Sequence, residues 1–181
     1  MPGQTCEVSA VKNVLNNIFK PKVCRQMPKG DADFDKLGFA LKTEIHAVFG
    51  RSLAIRALDS GSDNSAEIEL NNLSNPYYDI ERFGLSFVAS PRHADILIVT
   101  GAVSQNMAIA VRKTFDAMPS PKLVIALGDD ACGSGIVCGG YGVLGGVDKI
   151  LPVDLKIPGN PPEPIQIITA LLGLMWSLGK K

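Results

Sequence analysis

The strongest structural signals in this sequence are two short apolar runs, Asp95-Ile-Leu-Ile-Val-Thr100 and Lys122-Leu-Val-Ile-Ala-Leu127. Each run is closed by a glycine, Gly101 after the first and Gly128 after the second. An unbroken apolar run of this length is typical of a strand that is buried on both faces, as the strands of parallel sheets are. We therefore predict that both runs are central strands of a parallel sheet covered by helices.

Other strands and helices alternate around these two runs. Extended patterns occupy residues 52–58, 85–89 and 150–157, and helical patterns occupy residues 66–73, 105–118 and 165–178. Ser104 is predicted to cap the second of these helices. Strands that alternate with helices specify a doubly wound, mostly parallel sheet, and we predict a flavodoxin-like α/β fold.

Residues 1–50 follow a less regular pattern than residues 51–181. Two short helical patterns, at 8–19 and 36–49, are joined by a turn-rich and mildly basic connection over residues 21–35. Because chain termini often need a partner to become ordered, we interpret residues 1–50 as an N-terminal arm that packs on its own domain or on a neighbour. Residues 51–181 are predicted to form the α/β domain.

The composition excludes several classes of protein. The chain has 181 residues, of which 46% are hydrophobic and 20% charged, and this favours one globular domain with a small appendage over a disordered or fibrous protein. Its formal net charge is zero, so charge gives no general reason to bind nucleic acid. The amino terminus does not resemble a signal peptide, and the longest apolar stretch, residues 165–178, is too short to span a bilayer. We expect a soluble, intracellular chain.

Three loops follow the predicted strand ends, at residues 59–66, 128–135 and 158–162. The carboxyl ends of parallel strands lie on one edge of the sheet, and doubly wound proteins bind their ligands there. Any small-molecule or cofactor site is therefore expected at these loops. The seven glycines from Gly133 to Gly146 match neither a phosphate-binding loop nor a dinucleotide-binding motif, so nucleotide binding is not favoured.

Several motifs are shared with one protein family. They include Ile68-Glu69, Glu81-Arg-Phe-Gly84, Ser90-Pro-Arg-His-Ala-Asp95, Val147-Asp-Lys-Ile-Leu-Pro-Val-Asp154 and Ile157-Pro-Gly159. On these motifs the chain resembles, over about residues 50–178, the small-subunit family shared by membrane-bound, energy-converting NiFe hydrogenases and the 20 kDa subunit of respiratory complex I. The resemblance implies a flavodoxin-like fold that holds one 4Fe–4S cluster beside a large subunit and passes electrons through it.

The resemblance also implies where the four cluster ligands should stand. Two belong to a Cys-x-x-Cys pair just before Ile68-Glu69, one follows the strand that ends at Gly128, and one follows Ile157-Pro-Gly159. Those positions hold Asp63, Ala66, Asp130 and Asn160 in this chain. Iron–sulfur clusters are bound by thiolates and occasionally by imidazole, and none of these four side chains supplies either. We therefore expect that the cluster has been lost and that the chain holds no cofactor.

Two alternative interpretations stay open. The chain has four cysteines, Cys6, Cys24, Cys132 and Cys138, and a cluster bound through Cys132 and an unconventional ligand set would make it an electron-transfer subunit. A different class is a freestanding flavodoxin-like module that binds flavin, or a Mg²⁺ or Ca²⁺ ion held by oxygen atoms of Asp63, Asp129 and Asp130 with Asn64 and Asn160. The ligand pattern favours a hydrated polar pocket over such a metal site.

The favoured hypothesis is a peripheral subunit of a membrane-bound complex related to hydrogenases and complex I. The family resemblance implies its partners, namely a hydrogenase-like large subunit, a ferredoxin-like iron–sulfur subunit and membrane-arm subunits, and it implies a place on the cytoplasmic side of the membrane. Without a cluster, the chain would have a structural or coupling role between the large subunit and the membrane arm. No catalytic activity is expected of the chain alone.

Four residues of the shared motifs are candidates for an interface or a proton path: Glu69, Arg82, Arg92 and His93. Glu69 is alternatively a carboxylate stabilised by the dipole at the start of a helix, and Glu67 is predicted only to cap that helix. The two arginines are alternatively paired with carboxylates inside the domain, and His93 is expected to be a hydrogen-bonded structural residue.

Overall fold

A five-stranded parallel sheet forms the centre of the protein. The structure is a computed structural model that describes residues 32–179. In chain order, its helices and strands are α1 (Ala32–Phe49), β1 (Leu53–Asp59), α2 (Ser65–Leu73), β2 (Leu85–Phe87), β3 (Ile96–Thr100), β4 (Val103–Ser104), α3 (Ala108–Ala117), β5 (Leu123–Leu127), α4 (Asp129–Cys132), β6 (Val143–Gly145), β7 (Leu155–Ile157) and α5 (Pro164–Gly179). Short 3₁₀ helices at Ile80–Phe83, Pro91–His93, Ile136–Gly139 and Val147–Lys149 lie in the connections.

The strand order of the sheet is β2-β1-β3-β5-β7, and every neighbouring pair is parallel. This is the flavodoxin-like order of doubly wound sheets, so the predicted fold class is confirmed. Both apolar runs are interior strands, since β3 lies between β1 and β5, and β5 lies between β3 and β7. The last strand is shorter than predicted, because only Leu155–Ile157 of residues 150–157 pairs with β5.

The sheet separates two hydrophobic cores. Because side chains alternate between the faces of a strand, Ile96 and Ile98 of β3 belong to one core, and Leu97 and Val99 belong to the other. The first core contains side chains of α1, α2 and α5, and the second contains side chains of α3 and α4. Every residue of β3 is buried, which explains why its run is unbroken. Within residues 32–179, no helix is both long and apolar enough to cross a membrane.

Helix α1 lies in the first core although it belongs to the predicted N-terminal arm. Phe34, Leu41 and Ile45 are fully buried there, and α1 packs along α5. The helix predicted over residues 36–49 is observed with an earlier start at Ala32. This part of the arm therefore packs on its own domain. The helix predicted over residues 8–19 lies outside the described residues.

Helix α3 begins later than the predicted helix over residues 105–118. It starts at Ala108 with Met107 in the N-cap position, and Ser104, the predicted cap, belongs to β4 instead. β4 pairs antiparallel with β6 of the glycine-rich segment, and Gln105 N–H continues this contact by donating to the Gly142 carbonyl at 2.9 Å. The pairing holds residues 103–104 extended and residues 105–107 form a turn, so the helix begins only at Ala108.

Two carboxylates align the starts of neighbouring strands. Asp95, at the start of β3, accepts from Ala54 N–H of β1 at 3.0 Å and from both terminal nitrogens of Arg51, at 2.5 and 3.0 Å. Asp154, before β7, accepts from Val124 N–H of β5 at 2.8 Å. The hydrogen bond to Asp95 and the negative charge of Asp95 raise the pKa of Arg51. Asp95, the last residue of the motif at residues 90–95, therefore fixes the register of β1 against β3.

Gly38 of α1 has no room for a larger side chain. A Cβ atom at this position would overlap the ring of Phe83, which is fully buried. Gly38→Ala is therefore expected to lower the free energy of unfolding by about 1–3 kcal/mol, the usual cost of overpacking a core. Gly173→Ala in α5 is the matched control, because nothing lies within 4 Å of its added Cβ, and it should gain about 0.5–1 kcal/mol of helix stability. Urea unfolding of both variants is the measurement, and equal effects would contradict the packing explanation.

Candidate functional site

The loops that follow β1, β5 and β7 enclose a small polar pocket at the carboxyl edge of the sheet. Its lining includes all four positions at which the family resemblance implies cluster ligands: Asp63, Ala66, Asp130 and Asn160. The pocket encloses about 10 Å³, which is room for about one water molecule. The three loops therefore converge, as the doubly wound topology requires.

Ser65 joins the first of these loops to the third. Its hydroxyl oxygen lies 2.5 Å from Asp63 Oδ1 and 2.8 Å from Asn160 Oδ1. A hydroxyl group has one proton and two lone pairs, so Ser65 can donate to Asp63 and accept from the Asn160 amide, whose oxygen and nitrogen exchange places when the amide turns over. Hydrogen bonds from the Ser65 hydroxyl and from its backbone N–H hold the pKa of Asp63 below its ordinary value.

Asp129 joins the second loop to the third. Its Oδ1 atom accepts from Gly159 N–H at 2.8 Å, and its own N–H donates to the Gly159 carbonyl at 3.0 Å. Just before it, Gly128 N–H donates to the Ile157 carbonyl at 2.8 Å. Together with Ser65, these hydrogen bonds connect all three loops through protein atoms alone.

The side chains that line the pocket supply oxygen atoms and no sulfur. Asp130 Oδ1 is buried, has no hydrogen-bond partner among the described residues, and packs directly under Gly135. Ala66 offers only a methyl group. Within residues 32–179, no group of three or more His, Cys, Asp or Glu side chains is arranged to hold a metal ion. A cluster of four irons and four sulfides needs four soft ligands and far more space than one water molecule, so these residues do not fit it.

The two described cysteines do not line the pocket. The thiol of Cys132 donates to the Ala126 carbonyl at 3.6 Å and packs against the second core. Burial raises the pKa of the Cys132 thiol, which disfavours the thiolate form that binds iron. The thiol of Cys138 donates to the Asp130 carbonyl at 3.2 Å. Cys6 and Cys24 lie outside the described residues, so a cluster bound through Cys132 would require this thiol to leave its present contacts.

Glu67 and Glu69 do not have the local roles that were expected of them. α2 begins four residues before Glu69, so this carboxylate lies in the second turn of the helix. The helix dipole has little effect there, because it acts mainly on the first turn. The Glu69 carboxylate accepts instead from the Asn72 amide at 3.2 Å. The helix start at Asn64 has no side-chain cap, and Glu67 Oε1 accepts instead from the Thr100 hydroxyl at the end of β3. The capping role of Glu67 and the dipole role of Glu69 were wrong. The proton-path role of Glu69 stays a prediction.

A larger open groove lies between α2 and the segment that follows β2. It encloses about 450 Å³, and its lining combines the polar side chains of Arg56 and Glu67 with the apolar side chains of Leu70 and Phe87. Arg56 Nε and Glu67 Oε2 are buried and have no hydrogen-bond partner among residues 32–179. Buried polar atoms without hydrogen-bond partners destabilise a folded protein. These two atoms of the groove therefore lack partners that the described residues do not supply.

A comparison with known proteins identifies the family. The family model described as NADH ubiquinone oxidoreductase, 20 Kd subunit, matches residues 64–174, which is more than half of the chain. The chain belongs to this family.

Two relatives of this 20 kDa subunit family extend the match. An uncharacterized protein of Methanocaldococcus jannaschii is 42% identical over 122 residues, which cover 67% of this chain and 82% of the relative. Formate hydrogenlyase subunit 7 of Escherichia coli is 38% identical over 167 residues, and the match covers 91% of this chain but only 63% of the longer relative. A match over 91% of the chain must extend into residues 1–50. The expectation that the resemblance is confined to about residues 50–178 was therefore wrong.

Chains of two solved structures share the fold. A chain of the membrane-bound sulfane sulfur reductase, an archaeal respiratory membrane complex, matches with a TM-score of 0.65 at 28% identity, over 77% of this chain and 76% of that chain. A chain of an NAD⁺-reducing NiFe hydrogenase matches with a TM-score of 0.55 at 16% identity, over 70% of this chain and 93% of that chain. The second likeness shows the common fold alone.

Arg82, in the family motif at residues 81–84, forms its ion pair inside the domain. Its guanidinium lies 2.6 Å from the Asp35 carboxylate of α1 and stacks over the ring of Phe83. The Arg82 carbonyl also accepts from the Lys42 ammonium at 3.0 Å. These contacts attach α1 to the turn that precedes β2. An interface role for Arg82 stays a prediction.

Arg92 and His93, in the family motif at residues 90–95, are exposed. Neither side chain forms a hydrogen bond or an ion pair with another residue of the described range. The expected hydrogen-bonded role of His93 and the expected intradomain ion pair of Arg92 were wrong, because the nearby Asp95 is fully engaged by Arg51 and the start of β1. Both side chains are free to contact a partner, which stays a prediction.

Three polar residues of the site were missed from the sequence: Arg56, Ser65 and Thr100. An arginine inside an otherwise apolar strand was an available signal for Arg56, since charged residues are rarely buried without a reason. Ser65 lies between two implied ligand positions, so its nearness to the same pocket could have been inferred. Thr100 gave no signal, because threonine is an ordinary residue at a strand end.

Asp63→Asn is expected to change how stability depends on pH. Because the folded-state pKa of Asp63 is lowered, its hydrogen bonds stabilise the protein fully above the ordinary carboxyl pKa of about 3.9. That contribution is lost as the pH falls through the lowered pKa, so the variant should lose less stability than the wild type below about pH 4. Urea unfolding between pH 3 and pH 7 measures this. Asp116→Asn, which removes an exposed carboxylate of α3, is the control, and identical pH profiles for Asp63→Asn and the wild type would refute the assignment.

Proposed function

We propose that this chain is a peripheral subunit of a membrane-bound complex related to hydrogenases and complex I, that it holds no iron–sulfur cluster, and that its role is structural or coupling. One observation carries the proposal. The four positions that the family resemblance assigns to cluster ligands line one pocket, and they present two carboxylates, an amide and a methyl group. The chain alone would then have no redox activity.

The chemistry of the pocket supports the absence of a cluster. Iron in these clusters is bound by thiolate sulfur, and an amide or a methyl group cannot replace it. A carboxylate such as Asp63 or Asp130 is a hard oxygen ligand, which suits a different class of ion. The pocket has room for about one water molecule rather than for a cube of eight atoms.

Hydrogen bonds can replace the cluster as the connection between the loops. In a cluster-bearing relative, ligands on three loops would be joined through iron and sulfide. Here Ser65 joins the first loop to the third through Asp63 and Asn160, and Asp129 joins the second loop to the third through Gly159. These contacts hold the edge of the sheet in place and keep the family fold without a metal.

The partners are proposed from the relatives. One relative is a subunit of formate hydrogenlyase, and another belongs to a respiratory membrane complex. We place this chain between a hydrogenase-like large subunit and membrane-arm subunits, with a ferredoxin-like iron–sulfur subunit in the same complex, on the cytoplasmic side of the membrane. The exposed side chains of Arg92 and His93, and the carboxylate of Glu69, are the candidate contacts for coupling.

The segment over residues 136–144 is the proposed contact with the large subunit. Ile136 is 98% exposed and Tyr141 is fully exposed, which is unusual for large apolar side chains. The segment adjoins the pocket, since Cys138 bonds to Asp130 and Gly135 packs on Asp130. The resemblance implies that the cluster site of this family lies beside the large subunit, so the rim of the pocket should face that partner.

Metal analysis tests the loss of the cluster. Anaerobically purified wild-type chain should contain no stoichiometric iron or acid-labile sulfide and should give no paramagnetic iron–sulfur signal after reduction. The matched variant carries Asp63→Cys, Ala66→Cys, Asp130→Cys and Asn160→Cys. After reconstitution with iron and sulfide it should gain a cluster, because the four substitutions would place four thiolates around one pocket.

Iron at four atoms per wild-type chain, with the corresponding visible absorption, would overturn the cluster-free proposal. It would favour the electron-transfer alternative, and Cys132→Ser would then test whether that thiol is a ligand. A wild type without iron, beside a quadruple-cysteine variant that also binds none, would contradict the assignment of these four positions. Bound flavin or a stoichiometric divalent cation would favour the freestanding module.

Purification of the native complex tests the partner proposal. A tagged chain recovered from its source membranes should bring with it a hydrogenase-like large subunit and membrane proteins. Ile136→Glu should reduce recovery of the large subunit by about tenfold or more, since a buried charge without a partner costs more than 1.4 kcal/mol. Ile109→Glu on α3 is the matched control, because Ile109 is also exposed, at 66%, but lies away from the pocket. A stable monomer that recovers no such partners would contradict the proposed function.

A further inference from the structure

The second half of β1 lies at an open edge of the sheet, although its first half is an interior strand. β1 pairs with β3 as far as Asp59 but with β2 only as far as Ile55. The Ile55 carbonyl accepts from Val88 N–H at 2.8 Å, and within residues 32–179 no backbone hydrogen bond joins the two segments beyond it. The chain then turns into the 3₁₀ helix that begins at Pro91, a residue without an N–H to continue a ladder.

The backbone of Ala57 points to this open side. The N–H and C=O groups of a strand point to its two neighbours in alternation, so Ala57 directs both groups to the same side as Ile55. Neither group of Ala57 forms a hydrogen bond with a residue that the structure describes. Unpaired groups along a strand edge are a template for pairing with another extended segment.

The groove between α2 and the segment that follows β2 lies along this open edge, and Ala57 is part of its lining. The guanidinium of Arg56 in the same lining forms no hydrogen bond or ion pair with another residue of the described range. Glu67 uses Oε1 for the Thr100 hydroxyl, and its Oε2 atom has no described partner. Backbone and side-chain groups of the groove therefore leave both donors and acceptors unused.

An extended peptide segment has the chemistry that this groove lacks. Its backbone carries an acceptor for the N–H and a donor for the C=O of Ala57, and strand addition uses such bonds for affinity and adjacent pockets for specificity. The partly exposed side chains of Phe87 and Val88 offer an apolar wall. The lining carries one guanidinium beside the carboxylates of Asp59 and Glu67. It has no excess of positive charge, so a nucleic acid or an anionic lipid surface is not favoured.

We propose that an extended segment of a partner subunit occupies this groove and pairs with β1 at Ala57, in line with the end of β2. Residues 56–59 span about 10 Å at about 3.3 Å per residue, which is enough for a strand of about three residues. A polar side chain of the segment would meet Arg56 and Glu67, and an apolar side chain would pack on Phe87. The inference rests on the proposed function, because it needs a complex with partner subunits.

Hydrogen exchange of the Ala57 amide tests the pairing. The measurement compares the isolated full-length chain with the purified native complex. In the complex the Ala57 amide should exchange at least about tenfold more slowly, because a carbonyl of the added segment would accept from it. Equal exchange rates in the two samples would overturn the proposal.

Thiol labelling provides a second test at the wall of the groove. Asn71 is an exposed residue of α2 in the lining, so Asn71→Cys should react with a maleimide in the isolated chain. In the native complex the labelling of position 71, read by peptide mass, should fall about tenfold. Lys113→Cys on α3 is the matched control, because Lys113 is also exposed but lies outside the groove. Its labelling should be the same in both samples.

The remaining outcomes separate this inference from the proposed function. Unchanged labelling of position 71 in a complex that contains partner subunits would reject the strand pairing and leave the proposed function in place. Protection of Ala57 and position 71 already in the isolated chain would assign the groove to this chain itself and reject the proposal. Protection of position 71 without slower exchange of Ala57 would indicate a small molecule or a side-chain contact and reject it too. A wild-type chain that recovers no partner would reject both.

Discussion

The pair of hydrogen bonds between Asp129 and Gly159 fixes the edge of the sheet on which the pocket is built. The carboxylate and the backbone N–H of Asp129 engage both backbone groups of Gly159 at 2.8 and 3.0 Å. Gly159 has a φ of +140°, and a Cβ there would lie 2.7 Å from Pro162 Cα, so a side chain at this position would strain the turn. This turn brings Asn160 over Ser65 and thereby closes the pocket. The loops after β1, β5 and β7 form one site because this contact holds two of them together.

Hydrogen bonds and a bound cluster would give this edge of the sheet different strength and different redox chemistry. A cluster joins its loops through strong metal–thiolate bonds and also accepts electrons. The bonds around Ser65 and Asp129 join the same loops with individual contributions of about 0.5–1.5 kcal/mol each, and they have no redox chemistry. One of them involves the exposed carboxylate of Asp63, so its contribution to stability is lost in acid, as the pH falls through the lowered pKa of Asp63. The architecture is therefore compatible with docking and coupling, while electron transfer would need a cluster that these side chains do not fit.

The sequence predicted the elements whose signals are local and strong. β3 and β5 could be predicted because both faces of each strand are buried, which makes their runs unbroken. β4 and β6 could not, because strands of two and three residues carry no periodic pattern and their pairing depends on a fold that brings residues 103 and 145 together. The same pairing displaced the start of α3. Glu67 was assigned to a helix cap from its spacing alone, whereas the nearness of Thr100 is a consequence of β1 and β3 lying side by side.

The family motifs that this chain retains are explained by the fold rather than by redox chemistry. In the motif Glu81-Arg-Phe-Gly84, Arg82 forms an ion pair with Asp35. Phe83 lies in the core against Gly38. Gly84 has a φ of +84°, a conformation that favours glycine. In the motif at residues 90–95, Asp95 aligns β1 with β3. In this chain these residues make contacts within the fold that need no cluster. Four positions do not match the ligand pattern that the family resemblance implies, and all four line the pocket. Membership of the family therefore predicts the fold of this chain, whereas its chemistry has to be inferred from the side chains that line the pocket.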